Sequence, residues 1–351
     1  MNRKKSTAQL IEKRNFSFMT TLVFLVLMHS LLIACRFSSA EAGMPQQSVH
    51  DDLFGVSFPD GNNGWACGRW GTILHTADGG KTWGRQQTNT DFTLSSIWFF
   101  DNLRGWAVGD KGTIIHSKDG GLTWQAQKCP VPFFLMDVEF VSPEKGWVVT
   151  ERSHILYTND GGKTWSIQFK GDDIILKSIS FCDEMNGWAA GEYGYIYHTK
   201  NGGNTWSQEA GCFGFSEKTG QVEAGNQLFD LWAINPHKAW AVGIDGIILR
   251  TVDGKTWEKA ESPIGKKPLF AITVNKTGAI IIAGKQMFFS SIDGGRSWKE
   301  PNMKPPFIYG WLYGVANRGR SGFAAVGKQG TIYIGDADNV SIWHLADCRH
   351  P

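Results

Sequence analysis

Charge is scarce in this chain, and neither sign prevails. Charged residues make up 19% of its 351 positions, with 35 Lys and Arg against 33 Asp and Glu. Five of the basic residues (Arg3, Lys4, Lys5, Lys13, Arg14) and one acidic residue (Glu12) fall within residues 1–35. That leaves 30 basic and 32 acidic residues downstream, a charge of about −2. A nucleic-acid binder needs clustered Lys and Arg and a positive domain, so that class drops out first. Cysteine is also rare, at six. None forms C-x-x-C or C-x-x-C-H, which leaves zinc ribbons, thioredoxin-type redox sites and c-type haem without support. There is no phosphate loop, nucleotide fingerprint or Ser/His/Asp signature, and no cofactor is implied. Beyond residue 34 no apolar run is long enough to span a bilayer.

The one long apolar run, Phe18–Ala34, follows Lys13 and Arg14 and precedes Arg36-Phe37-Ser38-Ser39. Basic, apolar and small-residue segments in that order are those of a secretory signal. Leu32-Ile33-Ala34-Cys35 has the form of a lipobox, in which Cys35 carries lipid; Ala40-Glu41-Ala42 is a site for plain cleavage before Gly43. Retention of the run as an anchor is a third outcome. In each case the rest of the chain is expected outside the cytoplasm, periplasmic or held to the non-cytoplasmic side of a membrane. There cysteines can oxidise, and five remain: Cys67, Cys129, Cys182, Cys212 and Cys348. The pairs Cys129–Cys212 and Cys67–Cys348 are expected, the second as a staple closing the fold.

What the chain has in excess is glycine and aromatics: 42 Gly, 16 Trp and 22 Phe. Most of this surplus is periodic. Thr-Ala-Asp-Gly-Gly-Lys-Thr-Trp ends at Trp83, and variants of the box end at Trp124, Trp165, Trp206, Trp257 and Trp298, with a degenerate copy at Trp343. The intervals are 41, 41, 41, 51, 41 and 45 residues. Gly-Trp recurs in step at Trp65, Trp106, Trp147 and Trp188, and Ala239-Trp240 takes its place in the fifth copy.

Each copy holds four strand-like runs, in the first Leu53–Phe58, Trp65–Gly68, Gly71–Thr76 and Thr82–Gln87, separated by Gly, Asn and Asp turns. Four strands per repeat of about 42 residues is the measure of a propeller blade. The fold class is therefore all-β, a seven-bladed β-propeller over residues 53–346, with 1–42 as signal, 43–52 as linker and 347–351 as tail. Within the box, Asp78 is expected to accept backbone N–H bonds across the turn. Gly79 and Gly80 supply positive φ, Thr82 adds a hydroxyl bond and Trp83 packs on the neighbouring sheet. The same device is expected at Asp119, Asp160, Asn201, Asp253 and Asp293. No ladder of oxygen ligands follows Asp-Gly-Gly, so these are read as turns and no metal is expected.

These motifs resemble the BNR or Asp-box repeat, S/T-x-D-x-G-x-T-W. The combination Gly-Trp-Ala-Val-Gly, Gly-Thr-Ile and Thr-x-Asp-Gly-Gly-Lys-Thr-Trp is similar to that of the photosystem II stability and assembly factor family. The resemblance implies a non-enzymatic, chaperone-like part in photosynthesis, holding a newly inserted reaction-centre subunit on its non-cytoplasmic side. In that family an arginine-rich patch is implicated in binding, and Arg69 and Arg152 are the near counterparts. The fourth box has Asn201 for Asp, the fifth lacks one Gly beside Asp253-Gly254, and the seventh has lost the pattern.

In such a ring, box turns share a face with the turns joining first and second strands. The turns joining second and third strands share the opposite face with the blade connections, and function is expected there. Its candidates are Arg69, Trp70, Lys111, Arg152 and Tyr193 on short turns, with Phe133 and Phe134, Phe213 and Phe215, and Phe307 and Tyr309 on three aromatic connections. Exposed aromatics are costly unless covered, so a partner-binding rim is expected, its partner a membrane-associated protein or assembly intermediate. Trp70 reads either as packing or as an exposed anchor. The alternative is a glycan-binding or sialidase-like propeller. Glu151, Glu192 and Asp245 could supply its two carboxylates, but it is weakened because Arg69 and Arg152 are the only arginines on the short turns, Arg-Ile-Pro is missing, and surface acids beside Arg152 and Tyr193 are usually solvated. His75, His116 and His198 recur at one third-strand position and are expected to point apart rather than meet at a metal.

Overall fold

The computed structural model describes residues 50–216, 221–319, 322–336 and 340–346. The signal segment, Cys35, Cys348 and the tail lie outside the described residues, as does the side chain of Phe215. Seven blade sheets follow one another in chain order, their antiparallel strands adjacent in sequence except for one parallel strand added at the edge of the seventh. The first blade comprises Leu53–Ser57, Gly64–Gly68, Ile73–Thr76 and Gly84–Gln86, and the seventh begins at Leu312–Asn317. The first strand of each blade packs against the first strand of the next, and Leu53–Ser57 packs against Leu312–Asn317, closing the ring.

Two departures from four strands per repeat stand out. In blade six the fourth strand shrinks to a single bridge, Ser290 to Lys299. Pro301 has no N–H to continue that ladder, and Asn302–Lys304 instead pairs in parallel with Ile342–Leu345 at the outer edge of blade seven. The excess in the 51-residue interval forms a separate hairpin, Phe213–Ser216 with Gln221–Ala224, between blades four and five.

The repeated aromatics make the blade interfaces. Trp65, Trp106 and Trp147 each stack at 3.6–3.7 Å on the phenylalanine that ends the next blade's first strand: Phe99, Phe140 and Phe181. The box tryptophan of that next blade meets the same ring edge-on, as Trp124 meets Phe99. Glycine before tryptophan has a steric cause: a Cβ at Gly146 would lie 2.6 Å from the Phe140 ring, its cross-strand partner. In blade five both members change together, to Ala233 opposite Ala239.

The box turns form as expected. Asp78 accepts from the N–H and hydroxyl of Thr82 and from the Thr76 hydroxyl, while Gly79 and Gly80 take φ of 76° and 90°. Burial opposes ionisation of Asp78, but these donors hold its carboxyl down to about 2. Asn201 keeps the turn: its Oδ1 accepts from Thr205 N at 2.9 Å and its Nδ2 donates to the Thr205 hydroxyl. In the fifth box, Trp257 donates to Glu209, which also accepts from Trp188 and pairs with His198 at 2.7 Å. The histidines stack on the tryptophans beside them in their own blades, His75 on Trp65, His116 on Trp106 and His198 on Trp188.

The expected Cys129–Cys212 bond is not formed: both thiols are free, on the connections after blades two and four. Cys67 is also free and buried, its sulfur 3.6 Å from the Leu94 carbonyl between blades one and two. The ring closes without a described disulfide. An apolar cluster of Leu53, Leu74 and Trp83 with Val326 and Ile332 joins its ends, and Arg318 lies over Phe58 and donates to the Gly61 carbonyl.

Candidate functional site

The turns between second and third strands share one backbone device. Trp70, Lys111, Ser153, Tyr193, Asp245, Gln286 and Gln329, one per blade, all take φ of 51–57°. A non-glycine residue in that region costs roughly 1–2 kcal/mol, and the turn accepts any side chain that meets the cost. The indole of Trp70 is therefore not required by the turn, and it is 64% exposed. These turns do meet the blade connections on one face: Gly71 N donates to Phe92 O, Gly112 N to Phe133 O and Cys212 N to Tyr193 O.

On that face the structure holds most of the candidate residues in local contacts. Arg69 pairs with Asp52 at 3.2 Å and lies over Phe54. Arg152 approaches Asp173 at 3.9 Å and lies over Phe133. The two arginines therefore sit on different blades with separate partners. Lys111 lies over Phe92, and Tyr193 stacks at 4.3 Å on the exposed Phe213. Phe133, Phe134 and Phe307 are half-buried, whereas Tyr309 is 82% exposed. Two of the carboxylates weighed for hydrolysis serve the connections, Glu151 accepting from Phe134 N and Glu192 from Ile175 N, and Asp245 is exposed on its turn.

Sequence reading missed the residues at the centre. The seven first strands enclose a channel of about 940 Å³. Each of these strands opens with a buried leucine and bulges at the next residue. That bulged position carries Phe54, Phe229, Phe270 and Tyr313 in blades one, five, six and seven, and all four line the channel. Their rings form one arc: Phe229 to Phe270 at 5.3 Å, Phe270 to Tyr313 at 5.9 Å, and Tyr313 to Phe54 at 5.3 Å. Trp311 completes it against Phe270 and Tyr313. Blades two, three and four place Ser95, Met136 and Lys177 there instead. The signal was present in sequence as Leu followed by an aromatic at four of seven blade starts.

Deeper in the channel wall, carboxylates clamp neighbouring blades. Asp137 accepts from the Ser96 hydroxyl and from Ile179 N; Asp230 accepts from the Ser178 hydroxyl and Ile272 N; Glu139 accepts from Phe181 N. Burial, reinforced by the nearby Asp137 charge, pushes Asp230 up to about 7 and Glu139 well above the usual carboxylate range. The neighbouring N–H groups make these clamps rather than a free acid–base pair. Among the described residues no group of three His, Cys, Asp or Glu is placed to hold a metal.

A family described as the photosystem II assembly factor YCF48 matches residues 40–129 and 122–210, which takes in blades one to four. No curated protein matches the sequence. Among solved structures, YCF48 bound to D1 peptide is similar over 83% of this chain and 96% of its own, with 19% identity and a TM-score of 0.67. YCF48 from Cyanidioschyzon merolae is similar over 84% and 98%, with 19% identity and a TM-score of 0.68. A GH74 xyloglucanase from Xanthomonas campestris shares the fold over 87% of this chain and 56% of its own, at 10% identity and a TM-score of 0.68. The match over blades one to four, set on this ring of Asp-box turns, makes the chain a BNR-repeat propeller that resembles the photosystem II assembly factor.

Proposed function

We propose that this protein is an exported, non-enzymatic scaffold that holds a segment of a membrane-associated protein during assembly, on the face formed by the second-to-third-strand turns. The carrying observation is the aromatic arc Phe229, Phe270, Trp311, Tyr313 and Phe54 at the channel, with Arg69 at its end. Half-buried aromatic surface around a concavity receives apolar side chains of a partner, and cationic groups beside it favour a carboxylate. Trp70 stands beside Arg69 as a further anchor. The resemblance to an assembly-factor family, and the D1 peptide bound by one structurally similar protein, support this reading over glycan chemistry.

Crosslinking of the protein in native membranes tests it. A defined membrane-protein adduct is expected, weakened by Phe270→Ala, Trp311→Ala and Trp70→Ala while the fold persists. Turnover of aryl glycosides that Glu192→Gln abolishes would overturn the reading in favour of a hydrolase.

A further inference from the structure

The face described above is electrically uneven. Around blades two to four its turns and connections mix Lys111 and Arg152 with Asp110, Glu151, Asp172, Asp173 and Glu192. Around blades six and seven the exposed charges include Lys266, Lys267, Lys285 and Lys328, with Glu300 and Lys304 on the connection before Ile308, and none of these four lysines is in an ion pair among the described residues. Backbone bonds hold this region together: Lys285 N donates to Pro268 O, Gln286 N to Gly310 O and Lys328 N to Trp311 O. Two exposed acids adjoin it, Glu261 on the connection that carries Lys266 and Lys267 and Glu300 in a pocket with Phe307 and Ile308; Asp51 and Asp52 are engaged by Arg85 and Arg69. Amid the lysines, Ile308 and Tyr309 are 62% and 82% exposed, with the Lys285 ammonium 5.5 Å from the Trp311 ring.

We infer that the blade six and seven sector of this face docks on an anionic lipid surface, Ile308 and Tyr309 entering the interface and the four lysines facing headgroups. Lysines near an anionic leaflet each contribute attraction, and tyrosine and tryptophan settle at the headgroup level. The path of the chain agrees. It comes into the ring at His50–Asp52 beside this sector, where Gly330 N donates to Asp51 O and Gln329 N to Asp52 Oδ1. Ala34, the end of the apolar run, is 16 positions before His50, at most roughly 55 Å of extended chain. A lipid on Cys35 or retention of that run would therefore keep the ring within that reach of a bilayer. An acidic protein would satisfy the lysines but gives no role to an isoleucine and a tyrosine standing out from them. The lipid inference shares Trp311 with the aromatic arc but rests on the lysines, Ile308 and Tyr309.

The test is hydrogen exchange on the full chain with phosphatidylcholine vesicles, with and without phosphatidylglycerol. Amides of residues 264–267 and 307–311 are expected to be protected only with the anionic lipid. That protection is expected to disappear in Lys266→Gln/Lys267→Gln/Lys285→Gln and to fall in Tyr309→Ser, with unfolding temperatures unchanged. Phe270→Ala, by contrast, is expected to keep it while losing the crosslinked partner. Equal protection on neutral vesicles, protection confined to the box face around Leu122 and Ile292, or the same pattern from soluble polyglutamate without vesicles would each overturn the inference.

Discussion

Blades one to four and blades five to seven are built to one plan but have diverged to different degrees. In the first group the wedge of tryptophan, phenylalanine and tryptophan is repeated across blade interfaces, glycine precedes each Gly-Trp tryptophan, and the channel position after the opening leucine is mixed. In the second group the phenylalanine and glycine are lost together as Ala233 and Ala239, a box loses a glycine, and blade six gives up its fourth strand. Yet that group supplies Phe229, Phe270, Trp311 and Tyr313 to the arc, and all four free lysines of the basic sector. Repetition fixes how blades stack, and the departures from it carry the chemistry of the face.

The largest test of this contrast exchanges the interface between the two groups. Phe140→Ala removes a ring stacked on Trp106 and met edge-on by Trp165, and is expected to cost about 3–5 kcal/mol in urea unfolding. Gly146→Ala alone drives a Cβ into that ring and is expected to cost about 1–3 kcal/mol. The double variant copies the Ala233–Ala239 pair of blade five, and is expected to be no less stable than Phe140→Ala alone. Additive losses in a double-mutant cycle would show that the paired change in blade five is coincidental.

Acid should separate the same halves. Burial, with Lys118 and Arg104 nearby, presses His116 down to about 4, and burial lowers His75 as well. A histidine held neutral in the fold stabilises it above its unfolded value of 6.5, and that contribution is lost as pH falls from 6.5 toward 4. For His116 the loss is on the order of 2–3 kcal/mol. Blade five has Arg250 over Trp240 in the register place of His116 over Trp106, a cation throughout this range. Hydrogen exchange at pH 5 is therefore expected to quicken in blade two before blade five, and His116→Gln to flatten the difference.

Most of the ring was legible because its cause is periodic. A 41-residue interval with Asp-Gly-Gly turns and Gly-Trp pairs is dictated by local sterics that each copy repeats, and Asp78, Gly79 and Gly80 adopt the roles their residue types demand. The channel arc was not legible by the same route. Phe54, Phe229, Phe270 and Tyr313 sit on a bulge, where strict alternation along the strand breaks and a residue following a buried leucine turns to the channel instead of an interface. Cysteine pairing failed for a related reason: Cys129 and Cys212 share a face, but successive blades carry their connections around the ring, and a shared face does not bring two sulfurs within bonding reach. Trp70 was legible as an exception, since six other turns show that nothing there requires an indole.

The arc offers a middle-sized contrast in binding. Phe270→Ala or Trp311→Ala is expected to weaken the membrane-protein partner about tenfold or more, as truncation of aromatic anchors does. Met136→Ala, at the same bulged position in blade three, is expected to change binding less than threefold, or under about 0.7 kcal/mol. Titration of the purified partner segment against each variant decides this, and a loss from Met136→Ala equal to that from the arc variants would assign the binding to the channel as a whole rather than to blades five to seven.

The smallest expected effect lies within blade four, where Asn201 marks the first departure from the box. Its amide keeps the turn by donating to the Thr205 hydroxyl, whereas Asp160 in blade three accepts from the Thr164 hydroxyl at 2.6 Å. Asn201→Asp reverses one donor and makes the remaining bonds charge-assisted, which strengthens them where solvent does not screen them. Burial opposes ionisation of Asp160, but bonds from Thr164 and Thr158 hold its carboxyl below the usual carboxylate range. The substitution is therefore expected to raise stability by no more than about 0.5 kcal/mol near pH 7, and to lose that gain as pH falls through the depressed carboxyl value. A gain larger than this, measured by urea unfolding at pH 7 and again near pH 3, would show that the fourth box is a weak point between the two groups of blades. No gain would show that the amide turn serves the ring as well as the acid.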